Sequence, residues 1–223
     1  MNLGAGRAAL VLIPLALVGP EAAPAVAQRM PPLTREQALE NLKKPDVDAR
    51  RQAAGRLGDL GVMADAPVLL QALRDQDAVV RALAENSVWL VWSRSGDAEV
   101  DALFQVGLEQ LSQRAGPAAV ETFTRIIEKK PDFAEGWNKR ATMYFLMGEY
   151  DKSLRDCDEV MKRNPAHFGA LAGYGQIYLH LGQPERALDY FQRALAVNPN
   201  LLQVETAVEQ LKQLLIQKRR DTL

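Results

Sequence analysis

The chain has 223 residues, with 27 Lys and Arg against 28 Asp and Glu, for a formal net charge of −1. That balance leaves no electrostatic footprint for nucleic acid or an anionic membrane surface. The single cysteine, Cys157, excludes an internal disulfide, so packing must hold the fold together.

Residues 1–27 are expected to be a signal peptide. Arg7 gives a thin positive start, Ala8 to Val18 is a short apolar run, and Gly19-Pro20 breaks it. The run falls short of the roughly 20 apolar residues that span a bilayer, and Pro14 weakens it as a helix. Ala25-Val26-Ala27 has the small-x-small form that signal peptidase reads, so the expected cut follows Ala27. The expectation is a periplasmic or secreted protein with no integral membrane span after cleavage; a retained N-terminal anchor is the alternative. No cysteine lies near the cut to take a lipid.

Thr34 followed by Gln37 predicts a capped helix running to about Lys43, which Pro45 ends. An internal repeat follows. Leu42, Asp46, Arg50, Ala53 and Leu57 recur at one constant shift as Leu73, Asp77, Arg81, Ala84 and Val88. Asp46 and Asp77 suit helix starts, by capping and by the dipole there. Arg50 and Arg81, one turn on, can each meet an Asp of their own or a neighbouring unit. Helices are predicted over 47–60, 65–73 and 78–94. These units resemble short HEAT repeats of the phycobilisome-lyase-like type, with the same Asp-x-x-x-Arg phrase before an alanine-rich helix. The resemblance implies helical-pair geometry and no lyase activity.

Trp89 and Trp92 share a helical face, which suits packing at a seam between two arrays. An aromatic binding platform is the alternative. Ser93-Arg94-Ser95-Gly96 is the one candidate linker, and Asp97 caps the next helix. The same shift carries Leu69 and Leu73 onto Val100 and Phe104, so one continuous solenoid is expected.

From Val100 the spacing changes. Ala141, Tyr144, Gly148, Ser153, Cys157, Val160 and Pro165 map onto Gly175, Tyr178, Gly182, Ala187, Phe191, Ala194 and Pro199. In the other direction, Gly107, Ala119, Phe123, Ile126 and Pro131 fall on the same grid. The longer shift is the period of the tetratricopeptide (TPR) unit. Units are expected at 100–133, 134–167 and 168–201, turning at Ala115-Gly116-Pro117, Gly148-Glu149-Tyr150 and Gly182-Gln183-Pro184. Unit one departs from the pattern at Leu103 and Gln110, as if buttressed by the helix carrying Trp89 and Trp92. Residues 202–220 read as an amphipathic helix that caps the array, which a solenoid needs; self-insertion into the groove or dimerisation is the alternative.

The expected fold is therefore all-α, a right-handed α-solenoid of stacked helix pairs. Its organisation is a signal peptide at 1–27, HEAT-like repeats at 28–96, three TPR units at 97–201 and a capping helix at 202–223. The phrases Val88-Trp89-Leu90-Val91-Trp92-Ser93 and Gly136-Trp137-Asn138-Lys139-Arg140-Ala141-Thr142 resemble a group of small exported bacterial TPR proteins. That group has no assigned activity.

No catalytic or metal-ligating constellation is found, and no cofactor is expected. His167 and His180 are the two histidines, with no second ligand at metal spacing, and HExxH, CxxC, phosphate-loop and GxSxG motifs are absent. Cys157 reads as a buried filler. The TPR resemblance implies a groove lined by the first helix of each unit. Carried over position by position, its candidate peptide-binding residues are Phe104, Leu108, Asn138, Thr142, Phe145, Gln176 and His180. The amides of Asn138 and Gln176 can donate to and accept from a peptide backbone. The carboxylate clamp of some TPR adaptors is missing: Phe104, Leu108, Gly169 and Gly173 stand at its positions, and Lys139 alone offers a cation. The expected partner is thus a protein or peptide, held by an internal or helical segment; nucleic acid is not expected, and no oligomeric state is implied. The expected role is a non-catalytic adaptor or assembly scaffold in the cell envelope. The alternative is a structural subunit of a larger envelope complex that uses its outer helical faces.

Overall fold

The computed structural model describes residues 32–221. The expected signal peptide and its cut lie outside the described residues. Within them the chain is all-helical, with eleven α-helices, one 3₁₀ turn and no strand.

The first four helices are α1 (Arg35–Asn41), α2 (Val47–Leu60), α3 (Ala66–Ala72) and α4 (Ala78–Trp92), with a 3₁₀ turn (Met63–Asp65) before α3. They form two pairs related by one shift, which carries Arg35 onto Ala66 and Val47 onto Ala78. The Thr34–Gln37 capping box is present at α1. Asp46 accepts from the Ala49 N–H at 2.7 Å and Asp77 from the Val80 N–H at 2.9 Å, so each aspartate starts its long helix. The repeat also shows in the arginines. Arg50 donates to the carbonyls of Lys44 and Pro45, and Arg81 to those of Asp75 and Gln76. Arg50 then reaches Asp75 of the next pair at 2.7 Å, whereas Arg81 reaches Asn200 at 3.0 Å. Where a third pair would supply the next carboxylate, the far end of the chain supplies an amide.

The remaining helices are α5 (Ala98–Ser112), α6 (Gly116–Lys129), α7 (Ala134–Leu146), α8 (Tyr150–Arg163), α9 (Phe168–His180), α10 (Pro184–Val197) and α11 (Leu202–Asp221). The step from Ala134 to Phe168 equals that from Tyr150 to Pro184. Packing within each pair is matched in size. A Cβ on Gly107 would lie 2.6 Å from Phe123, and one on Gly175 would strike Phe191. In the middle unit Ala141 is larger than the glycines and Cys157 smaller than the phenylalanines, and both are buried in one cluster. Val208 and Leu211 of α11 cover the last hydrophobic face, in one cluster with Phe191.

The turn chemistry corrects one expectation. Left-handed backbone occurs at Gly148 (φ 76°), Gly182 (φ 66°) and, in the first unit, Arg114 (φ 56°). Gly116 is the pivot that the sequence suggests there, but it is already the first residue of α6. A side chain in this region crowds its own carbonyl, which glycine avoids.

The N-terminal helices also pack further along the array than expected. Their apolar core takes in Phe168, Val197 and Leu201. Trp89 lies edge-on to His167 and Phe168, at 5.6 and 5.0 Å, and Trp92 stacks on His167 at 4.6 Å. The tryptophans thus sit at a seam, but their ring partners lie where the second unit meets the third rather than in the first. Asn200 donates to the Leu73 carbonyl at 2.8 Å, and Arg74 donates to the carbonyls of Ala196 and Val197 at the end of α10.

Two stability changes are expected. Arg114→Gly should stabilise the chain by about 0.5–1 kcal/mol, by relieving the left-handed side chain. Phe191→Ala should destabilise it by about 3–5 kcal/mol, because the ring is fully buried. Urea unfolding followed by circular dichroism reads both; a destabilised Arg114→Gly would show that the guanidinium contributes more than the backbone strain removes.

Candidate functional site

Helices α7 and α9 lie side by side with α8 behind them, and a cavity of about 270 Å³ opens between the three. Its walls carry Asn138, Thr142 and Phe145 from α7, and Ala172, Gly173 and Gln176 from α9. Ser153 and Cys157 of α8 form its floor. Spacing alone explains this convergence, since residues three and four apart on a helix share a face. The cavity is deep because its lining side chains are small. A Cβ on Gly173 would meet Cys157 Sγ only at 3.9 Å.

The floor is chemically quiet. Ser153 Oγ donates to the Ala141 carbonyl at 2.7 Å and is buried. Burial pushes the Cys157 thiol up to about 12, with Asp156 and Asp158 adding to the rise, so it stays a protonated filler. Phe145 forms the outer lip with His180 and Tyr150. His180 is edge-on to Phe145 at 5.1 Å and stacked on Tyr150 at 5.5 Å. Gln176 and His180 are exposed, while Asn138 is buried.

The other end of the cavity is closed by a buried polar cluster. Glu135 and His167 have no exposure, and Nε2 of His167 lies 2.5 Å from Oε1 of Glu135. Nδ1 accepts from the Ala170 N–H at 3.0 Å, which caps α9. That bond leaves Nε2 as the nitrogen that carries the proton and donates to the carboxylate. Asn138 donates to Glu135 at 3.1 Å, and Lys139 is 3.2 Å from the same carboxylate. Burial pushes the Glu135 carboxyl up, but the Lys139 charge, His167 and the Asn138 bond outweigh it and hold it at about 2. Lys139 also lies over the Trp89 ring at 5.4 Å, and a Cβ on Gly169 would come within 2.5 Å of that ring. Trp89 therefore packs behind Gly169, which lines this end.

Of the seven expected groove residues, four line the cavity: Asn138, Thr142, Phe145 and Gln176. His180 stands at its lip. Phe104 does not face it: the ring is fully buried against Phe123 and Phe133, in the core of the first unit. Leu108 is half-buried against that same core. The reason is physical. The residues one and two repeats on from Phe104 are Asn138 and Ala172, which line the cavity, whereas the larger apolar ring of Phe104 packs inward against Phe123 and Phe133. Sequence reasoning missed Tyr150 and Ser153, and it placed Glu135 only as a groove position. Glu135 is a charged residue at a groove position, and only its burial reveals its part.

Among the described residues no cluster of three or more His, Cys, Asp or Glu is placed to hold a metal ion. No helix among them is long and apolar enough to cross a membrane.

Comparison with known proteins bears on the repeats. Residues 132–200 match the family model of the tetratricopeptide repeat. The chain is 36% identical over 129 residues to a TPR repeat-containing protein of Rhizobium etli, covering 58% of this chain and 63% of that protein. It is 31% identical over 88 residues to anaphase-promoting complex subunit 3 of Schizosaccharomyces pombe, covering 40% of this chain and 13% of that protein. It thus spans under two thirds of the length of either relative. Among solved structures, the Sgt2 TPR domain of Aspergillus fumigatus has a TM-score of 0.52 at 17% identity, covering 56% of this chain and 83% of that one. The first TPR of Spaghetti (RPAP3), bound to an HSP90 peptide, has a TM-score of 0.51 at 21% identity, covering 54% and 96%. Residues 132–200 thus carry tetratricopeptide repeats, on a fold that these structures share.

Glu135 makes the site acid-sensitive. Its folded value of about 2 lies below the roughly 4.3 of an unfolded glutamate, so its contribution is present above pH 4 and is lost as pH falls toward 2. Glu135→Gln should destabilise the chain by about 3 kcal/mol at neutral pH and flatten this acid loss. Unfolding free energy measured between pH 2 and 7 checks it; an unchanged slope would remove Glu135 from the account.

Proposed function

We propose that the chain is a non-catalytic interaction module that holds a peptide or protein segment in the cavity between α7, α8 and α9. The observation that carries this reading is the cavity itself. It is a preformed, small-residue hole of about 270 Å³ whose rim offers an aromatic ring and amides. Such a hole takes one apolar side chain, while Gln176 and the Asn138 carbonyl oxygen meet the backbone on either side. Leu146 and Leu179 extend an exposed apolar margin near Phe145, 50% and 37% exposed.

The partner is an internal or helical segment rather than a chain terminus. Lys139, the one cation at a clamp position, is already held by Glu135 and Trp89. The RPAP3 neighbour was solved with a peptide, which supports peptide binding as a use of this fold. The apolar start and small-x-small phrase of residues 1–27 support a periplasmic setting, and with it a role as adaptor or assembly scaffold in the envelope. The repeated helix pairs α1–α2 and α3–α4 support a HEAT-like N-terminal part that frames the groove.

A second reading has its own observation. Leu202, Leu214 and Ile216 of α11 are 72%, 55% and 45% exposed, which suits a structural subunit that makes fixed contacts through its outer faces.

A photocrosslinker at position 145, used in cells, should capture a partner. Gly173→Leu, which fills the cavity, and Phe145→Ala/Gln176→Ala, which strips its rim, should each weaken binding of the captured protein at least about tenfold. Undiminished binding in both variants would overturn the groove and favour the outer faces.

A further inference from the structure

The three repeat units fill the space between their helices differently. In the first, the ring of Phe123 packs on the bare Gly107, and Phe104 lies beside it at 6.2 Å. Both rings are fully buried. In the third, Phe191 packs on Gly175 in the same way and is also fully buried. The middle unit has Asn138 at the Phe104 position, Ala141 at the Gly107 position and Cys157 at the Phe123 position. An Ala and Cys pair carries about four fewer side-chain heavy atoms than a Gly and Phe pair, and close-packed interiors seldom leave such a deficit open. Here it stays open. Asn138, Ala141 and Cys157 all line the cavity of about 270 Å³ between α7, α8 and α9.

The lining also selects the occupant. None of the described lining residues carries a charge, and Lys139, next to Asn138, is held by Glu135 at 3.2 Å. A charged side chain entering the cavity would lose its hydration and find no counter-charge. The floor offers no spare donor either, because Ser153 Oγ donates to the Ala141 carbonyl. A flat apolar ring meets better partners. The Phe145 ring lines the cavity and can make an edge-to-face contact, and the Cys157 sulfur below is a soft neighbour for a ring. A void of about 150 Å³ is enough for a benzene molecule, so the larger volume here accepts a phenyl group with the carbons that tether it.

We propose that the cavity receives one phenylalanine-type side chain of the bound segment. That ring takes, from outside, the place that Phe104 and Phe123 fill in the first unit and Phe191 fills in the third. The inference rests on the peptide-binding reading above and names the residue class that the partner inserts.

Two blocked amino acids test it as probes, N-acetylphenylalaninamide and N-acetylleucinamide, each titrated into the isotope-labelled full chain and followed by NMR. The phenylalanine probe should shift the amides of Gly169, Gly173 and Gln176 and bind about fivefold more tightly than the leucine probe, the gain from its aromatic contacts. Ala141→Gly/Cys157→Phe recreates the pair of the flanking units. It should raise the melting temperature and weaken the phenylalanine probe at least about tenfold. The ratio between the two probes in the wild type needs no variant, so the test stays decisive if the double variant does not fold. Equal binding of the two probes, or tighter binding of leucine, overturns the aromatic assignment. So does the absence of any shift at those amides, or an undiminished phenylalanine probe in the folded double variant. The groove itself is judged separately, by whether Gly173→Leu releases the protein captured from position 145. A released partner with no phenyl preference would sink this inference alone, whereas an indifferent partner would sink the groove with it.

Discussion

The contact between Glu135 and His167 sits where α4, α7 and α9 meet, and much of the structure depends on its being complete. A carboxylate with no exposure is costly unless every lone pair is used. Here the histidine, the Asn138 amide and the Lys139 ammonium share that work, and the second histidine nitrogen caps α9. The indoles of Trp89 and Trp92 then seal the cluster from water. Two repeats and the N-terminal helices are thereby joined at one point. The same arrangement occupies the one cation that a carboxylate-gripping groove would need.

A stack of repeats normally touches only its neighbours, and its stability is close to a sum over adjacent pairs. This chain departs from that rule. Leu73, Arg74 and Arg81 bond to residues 196–200, more than a hundred positions away. The N-terminal helices therefore reach two successive inter-repeat turns, at His167 and at Asn198 to Asn200. Arg81 shows how the join is made. Its guanidinium does what Arg50 does in the preceding pair, but its outer partner comes from the end of α10.

Local regularity is legible in the sequence, and long-range docking is not. The two repeat periods reveal the helix pairs, their aspartate caps and the matched Gly and Phe positions, because each is a repeated local demand. Arg114 is hidden because a left-handed residue that is not glycine leaves no compositional signal; only its place one repeat before Gly148 hints at it. Phe104 shares its repeat position with Asn138 and Ala172, but its apolar ring packs into the core against Phe123 and Phe133, which position alone does not reveal. Trp89 and Trp92 can be assigned to a seam, but nothing periodic marks His167 and Phe168 as their partners. Asn138, Thr142, Phe145 and Gln176 are accessible to a positional reading because α7 and α9 begin one repeat apart, so positions carry from one to the other.

Fixing the ends of an array also fixes its curvature. If only neighbours touched, small rotations at each interface would add along the chain and the cavity between α7 and α9 would open and close with them. Bonds from Leu73 and Arg74 to the end of α10, together with the aromatic contacts at His167, oppose those rotations at two points. The cavity is then presented in one shape. On the proposed peptide-binding reading, a partner entering it would lose its own freedom but would not have to order the groove, and preorganisation of this kind favours selective binding by a few side chains. On that reading the N-terminal helices would contribute to recognition without lining the cavity, by holding its walls in place through the contacts at His167 and at the end of α10.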